Sequence, residues 1–177
     1  GSTQLEGVKS DIVMADRYSY IDIGEKDYDN PLPYDKIEPA NYKVWNGNID
    51  YDKIISRSVE RIAKSQQLKL IDENAQWIRN RRDFTTVSLN YEFYKKDIES
   101  RIDETKKFDS IDSYDNKLIY ESLPFEIELM KKDSTLFEKR KRWHKSIGND
   151  IYIEEGINIL QDLKSTNNNS KLANVRD

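Results

Sequence analysis

From Asp50 onward the apolar residues fall into helical stripes. Tyr51, Ile54, Ile55, Val59 and Ile62 recur at three- and four-residue spacing behind Asp50, whose carboxylate suits a helix cap. The spacing predicts a helix over 50–64. Leu68, Ile71, Ala75 and Ile78 form a second stripe, widened by Leu70 and Trp77, and Arg79, Arg81 and Arg82 stand at the end where the helix dipole favours cations. A helix over 66–82 is expected. Ser88, placed as a cap, precedes Tyr91, Tyr94, Ile98 and Ile102, which predicts a third helix over 89–107. Leu136, Arg140, Trp143 and Ile147 mark a helix ending at Gly148, and Asp150 opens a last one with Tyr152, Gly156, Ile159, Leu160 and Leu163 facing inward.

Elsewhere the pattern shortens or breaks. Ile12-Val13-Met14, between Asp11 and Asp16, closes a run from Leu5 that reads as one short strand. Pro31, Pro33 and Pro39, with Gly24 and Gly47, interrupt residues 16–49, and the tyrosines there make the segment an extended aromatic arm. Phe84-Thr85-Thr86-Val87 is β-prone, while the acids and serines from Asp109 to Asp115 read as a loop. Leu118, Ile119 and Tyr120, then Phe125, Ile127 and Leu129, have strand-like content on either side of Pro124, which blocks a continuous helix. The Ser/Thr/Asn run after Lys164 predicts a disordered tail over 165–177. The expected architecture is mainly α. An irregular multi-helix domain occupies 50–164, with a short N-terminal strand within 1–15 and short strands near 84–88 and 117–130.

A length of 177 residues favours one domain with an appendage. Charged residues make up 35% of the chain and hydrophobic ones 36%, so a sparing core sits inside a heavily solvated surface. The net charge of -4 gives no long-range pull towards phosphate backbones or anionic lipid. With no cysteine and His144 as the single histidine, thiol catalysis, Cys/His zinc sites and histidine triads cannot be assembled. No apolar run approaches the ~18 residues of a membrane span.

Each candidate chemistry then meets a plainer explanation. Asn46, Asn48, Asp50 and Asp52 alternate like calcium ligands, but Tyr51 stands where the loop needs glycine and Arg57 where it needs a bidentate Glu. A turn running into a helix cap accounts for them. The basic run Lys139 to Lys145, with Trp143 and His144 inside it, has the ingredients for stacking a base, yet Trp143 falls on the apolar stripe and is expected in the core. Paired acids such as Glu154-Glu155 and Asp27-Asp29 arise by chance in an acid-rich chain. Neither phosphate-cradling glycine pattern occurs. A Ser/Lys mechanism survives the residue census, but no serine sits in a glycine-flanked strained turn. No catalytic, cofactor-binding or metal-binding residue is assigned, and no cofactor is expected.

Several short motifs in one order carry a resemblance. They are Gly1-Ser2-Thr3-Gln4-Leu5-Glu6-Gly7-Val8 closing on Asp11-Ile12, Tyr18, Gly24-Glu25, Asn30-Pro31-Leu32-Pro33-Tyr34-Asp35-Lys36-Ile37 and Pro39-Ala40-Asn41-Tyr42. Arg61-Ile62-Ala63-Lys64, Thr86-Val87-Ser88-Leu89-Asn90 and Asp150-Ile151-Tyr152-Ile153-Glu154-Glu155, leading into Ile157-Asn158-Ile159-Leu160, continue it. Over about residues 2–105 and 149–164 the chain resembles the segment that follows the catalytic core in the carboxy-terminal processing, or tail-specific, proteases. Ser10 departs from the proline usual before Asp11-Ile12, and residues 106–148 match no named pattern.

The resemblance implies a periplasmic serine endopeptidase as parent, with a PDZ domain and a Ser/Lys dyad that both precede this segment. On that reading the chain is a non-catalytic helical fragment that packs on the protease core and assists substrate access or adaptor docking. Its expected partners are the remainder of its own polypeptide, an adaptor protein and the parent's protein substrates, with neither nucleic acid nor a membrane span. Its first strand belongs to the neighbouring protease sheet, and the arm, with Tyr18, Tyr20, Tyr34, Tyr42 and Trp45, lies against the protease body. Apolar surface bared by separation would favour dimerisation. The alternative is an independent protein-interaction or nucleic-acid-binding module using Arg79 to Arg82 and Lys139 to Lys145.

Overall fold

The computed structural model describes residues 10–33, 35, 37–38, 40–43 and 49–173, with side chains as far as Thr166. Among these residues the regular structure is entirely helical. Helix α1 spans Tyr51–Lys64, and the Asp50 carboxylate accepts from the Lys53 amide at 3.1 Å. Ser65 ends it and starts the next. Its N–H donates to the Arg61 and Ile62 carbonyls, while its hydroxyl accepts from the Leu68 amide and opens α2, Gln66–Arg82. Helix α3, Tyr91–Thr105, is capped by Asn90 rather than by Ser88, whose hydroxyl accepts instead from the Asn90 amide. Helices α4 (Pro124–Met130) and α5 (Ser134–Gly148) form a hairpin, with Asp133 capping α5. Helix α6, Ile151–Ala173, starts on Asp150, which accepts from the Tyr152 and Ile153 amides. Single 3₁₀ turns lie at Glu25–Asp27, Lys106–Phe108 and Ile111–Ser113.

Helix α1 packs on α6 and α2, and the turns that follow α3 pack on α2. Ile54, Leu68, Ile71, Ala75 and Phe108 are the buried apolar residues of this small core, and the Trp77 ring tilts against Phe108 with centroids 6.4 Å apart. The hairpin is fastened to it by Asn116. Its backbone N–H donates to the Gly148 carbonyl at 2.8 Å, and its side-chain amide donates to the Ile147 carbonyl at 3.1 Å and the Tyr120 hydroxyl at 2.7 Å. The Tyr114 hydroxyl adds a bond to Glu154 of α6.

The three expected strands need correction. Residues 1–9 lie outside the described residues, and 10–14 run without a ladder partner; backbone groups that find no second row cannot form a sheet. The same holds for 84–88, a link between α2 and α3. Within 117–130, Pro124 starts a helix instead of bending a strand. At the first helical position its missing N–H costs nothing and its fixed φ suits the helix. The Glu126 carboxylate accepts from the Leu123 amide at 3.2 Å and completes the start of α4. The tail also differs from expectation, because α6 runs past Lys164 to Ala173. Beyond Gly156 it meets neither proline nor glycine, so nothing in the sequence stops propagation.

Residues 16–33 are irregular apart from the first 3₁₀ turn. Two tyrosines tie this region to the helices: Tyr20 donates to Asp72 of α2 at 2.6 Å, and Tyr152 of α6 donates to the Ala15 carbonyl at 2.7 Å. Tyr34, Trp45, Asn46 and Asn48 lie outside the described residues.

Candidate functional site

The densest polar cluster joins α1 to α6. Arg57, Ser58 and Arg61 project from α1 towards Glu155 and Asp162, two turns apart on α6. Arg61 donates to the Glu155 carboxylate from Nη2 at 2.7 Å and from Nε at 3.0 and 3.1 Å, and to Asp162 from Nη1 at 2.7 Å. Ser58, fully buried, donates to Glu155 at 2.6 Å, and Arg57 donates to Asp162 at 2.8 Å. Burial pushes the Glu155 and Asp162 carboxyls up, but the arginine hydrogen bonds outweigh it and hold both below the usual carboxylate range. The hydrogen bonds to Glu155 in turn raise Arg61. Every member is committed to a partner, so the cluster locks two helices together and has no group free to move a proton.

The second feature is an open groove of ≈ 860 Å³ on the hairpin, lined by Ile127 and Met130 of α4, Phe137, Lys141 and His144 of α5, and Tyr120. Here the fold brings His144 Nε2 to 3.4 Å from the Ser122 hydroxyl. The contact is long, and among the described residues no carboxylate bonds the other ring nitrogen to orient it. Trp143, expected in the core, is 51% exposed. The inner face of α5 is taken instead by Arg140, which pairs with Glu126 of α4 and stacks over the Trp143 ring at 5.1 Å. The paired acids do not act together either: Glu154 bonds Tyr114, Glu155 bonds Arg61, and Asp27 accepts from the Gly24 amide. Among the described residues no three potential metal ligands gather. The basic end of α2 is largely neutralised, with Arg79 on Asp83 and Arg81 facing Asp97 and lying over Phe84.

The third feature is apolar surface left in water. Phe84, Val87, Leu89, Tyr91 and Phe93, around the start of α3, are all exposed, and Leu89 is 102% accessible. In the arm Val13, Ile23, Leu32, Ile37 and Tyr42 are exposed as well. Single exposed apolar residues are ordinary; five within ten positions is a local concentration of apolar surface. Sequence periodicity could not find this surface. The residues that fill it have strand- and core-like chemistry, and only the fold reveals that the core lies elsewhere.

The family model for the C-terminal domain of tail-specific protease matches residues 18–165 of this chain. A tail-specific protease of Haemophilus influenzae is 37% identical over 100 residues, a match that covers 54% of this chain and 14% of that protein. No solved structure gives a significant match. The matched range includes residues 106–148, which carry no motif of the resemblance. No helix among the described residues is long and apolar enough to cross a membrane. The chain belongs to the family of C-terminal domains of tail-specific proteases.

Proposed function

We propose that this chain is the non-catalytic C-terminal helical domain of a periplasmic carboxy-terminal processing serine protease. It packs on the catalytic body and there assists the access of polypeptide substrates or the docking of an adaptor. The Ser/Lys dyad and the PDZ domain of such a parent lie outside these residues. The observation that carries the reading is the exposed apolar run from Phe84 to Phe93, on a chain with only five buried apolar residues among those described. A domain that buries so little and exposes so much is shaped to be completed by a larger body.

The chemistry agrees. Among the described residues no carboxylate orients His144, and the densest cluster of charges is a helix clamp. Incubated alone with an unfolded protein, the chain is expected to leave it intact. In the parent, Phe93→Asp is expected to reduce cleavage of the same substrate while the chain bearing that change stays folded. Cleavage by the isolated chain, or full activity of the substituted parent, overturns the reading.

A further inference from the structure

We propose that α3 docks a second copy of this chain, which it meets as an antiparallel helix pair centred on Ile98. Helix α3 is tied to α2 along one side: Asp97 bonds Arg101 and faces Arg81, and the Glu104 carboxylate accepts from the Trp77 indole at 2.9 Å. At about 3.6 residues per turn, Tyr91, Tyr94, Ile102 and Thr105 all fall within about 40° of the Ile98 direction, on a different side. The helix buries none of its residues, and Tyr91, Tyr94 and Ile102 of this stripe stand exposed. An apolar stripe at helical spacing is the mark of a helix that packs on something.

The order of the residues says what covers it. Turned end for end about Ile98, the stripe repeats itself: Tyr94 comes opposite the partner's Ile102, and Tyr91 opposite the partner's Thr105. The charges along its edge away from α2 invert under the same operation. Glu92, Lys95, Glu99 and Lys106 run along that edge, alternate in sign and are exposed, and the Lys106 backbone is still helical. At about 1.5 Å per residue, Lys95 arrives about 3 Å along the axis from the partner's Glu99, and Glu92 about 3 Å from the partner's Lys106. Two-fold symmetry makes each match twice. Within one chain these side chains make only exposed contacts, Lys95 with Glu99 at 4.0 Å and Lys106 with Asp103 at 2.7 Å, and such contacts are weak enough to be shared. A parallel pair would set this edge against Asp97, Arg101 and Glu104, which are already bonded within the chain. A nucleic acid or an anionic membrane calls for one sign of charge along the edge and finds both. A seam one helix long makes the dimer weak and concentration-dependent. It shares only Tyr91 with the run from Phe84 to Phe93, and Phe93 itself points about 140° away from Ile98, so this inference and the reading above fail separately.

The test is sedimentation equilibrium of the 177-residue chain at concentrations up to about 0.5 mM. A monomer–dimer equilibrium is expected. Lys95→Glu, which sets carboxylates against carboxylates, and Glu99→Lys, which sets ammonium groups against one another, are each expected to weaken it about tenfold. Mixed in equal amounts, these two variants are expected to pair with each other as tightly as the unaltered chain pairs with itself. Ile102→Asp, at an exposed position, is expected to abolish the dimer, and circular dichroism checks that every variant keeps its helices. A chain that stays monomeric throughout, a dimer indifferent to Lys95→Glu or Ile102→Asp, or a mixture that associates no better than its components overturns the proposal.

Discussion

Replacing Arg61 by methionine tests the α1–α6 clamp most sharply. The change keeps the aliphatic stem and removes every charged bond that Glu155 receives from α1, leaving it with Ser58 alone among its α1 partners. The Glu155 side chain is 6% exposed and that of Asp162 14%, so water cannot fully replace the guanidinium. Breaking a buried pair by removing one partner costs about 3–5 kcal/mol; because the Arg61 side chain is itself 32% exposed, the expected loss is discounted to about 2–3 kcal/mol. For a chain of this length that lowers the melting temperature by about 5–10 °C. Urea unfolding followed by circular dichroism should show an earlier midpoint with an unchanged slope. Adding Glu155→Leu to Arg61→Met removes the stranded carboxylate and should recover much of the loss. Arg57→Ala, at a side chain 42% exposed, should cost less than about 1 kcal/mol. If Arg61→Met unfolds at the same urea concentration as the unaltered chain, the charges are ornament and the clamp argument is wrong.

Other outcomes follow from the same contacts. Since Glu155 and Asp162 are held below the ordinary carboxylate range, the unfolded chain binds more protons in acid. The stability they contribute is therefore complete above the unfolded carboxylate value of about 4 and lost as pH falls through their lower folded values. The midpoint gap between the unaltered chain and Arg61→Met should stay constant near neutrality and narrow below about pH 4; a constant gap down to full acid denaturation would contradict this. Asn116→Ala removes one of two donors to the Ile147 carbonyl and the donor to the Tyr120 hydroxyl, and should cost about 1–3 kcal/mol and speed amide exchange in the hairpin before that in α1. Leu89→Asp, at a fully exposed position, should shift the isolated chain by no more than about 0.5 kcal/mol, whereas buried Ile71→Ala should cost about 2–5 kcal/mol. Comparable losses at the two positions would mean that Leu89 is already covered.

Sequence periodicity located α1, α2 and α3 to within two residues at each end, and also the end of α5 and the start of α6, because a regular stripe or a capping residue marks each of these. Its failures have physical causes. Pro124 is both a breaker and an ideal first helical residue, and which role it takes depends on Glu126 reaching back to Leu123. Phe84 to Val87 have strand chemistry but find no strand to pair with. Trp143 lies on its stripe yet faces water, because Arg140 takes the contact with α4. The clamp joins residues 97 positions apart in Ser58 and Glu155, a pairing that no local pattern announces. The exposed residues around the start of α3 were not legible in the sequence, since exposure is a property of the folded whole.

The central claim is that this domain is completed by the body of a larger protease. Hydrogen–deuterium exchange, compared between the isolated chain and the parent enzyme, tests it directly. The account predicts that the amides of Thr85 to Leu89, which have no hydrogen-bond acceptor among the described residues, exchange freely in the isolated chain and become protected in the parent, while those of α1 exchange alike in both. Equal exchange of the 85–89 segment in the two proteins would show that nothing covers it and would contradict the account.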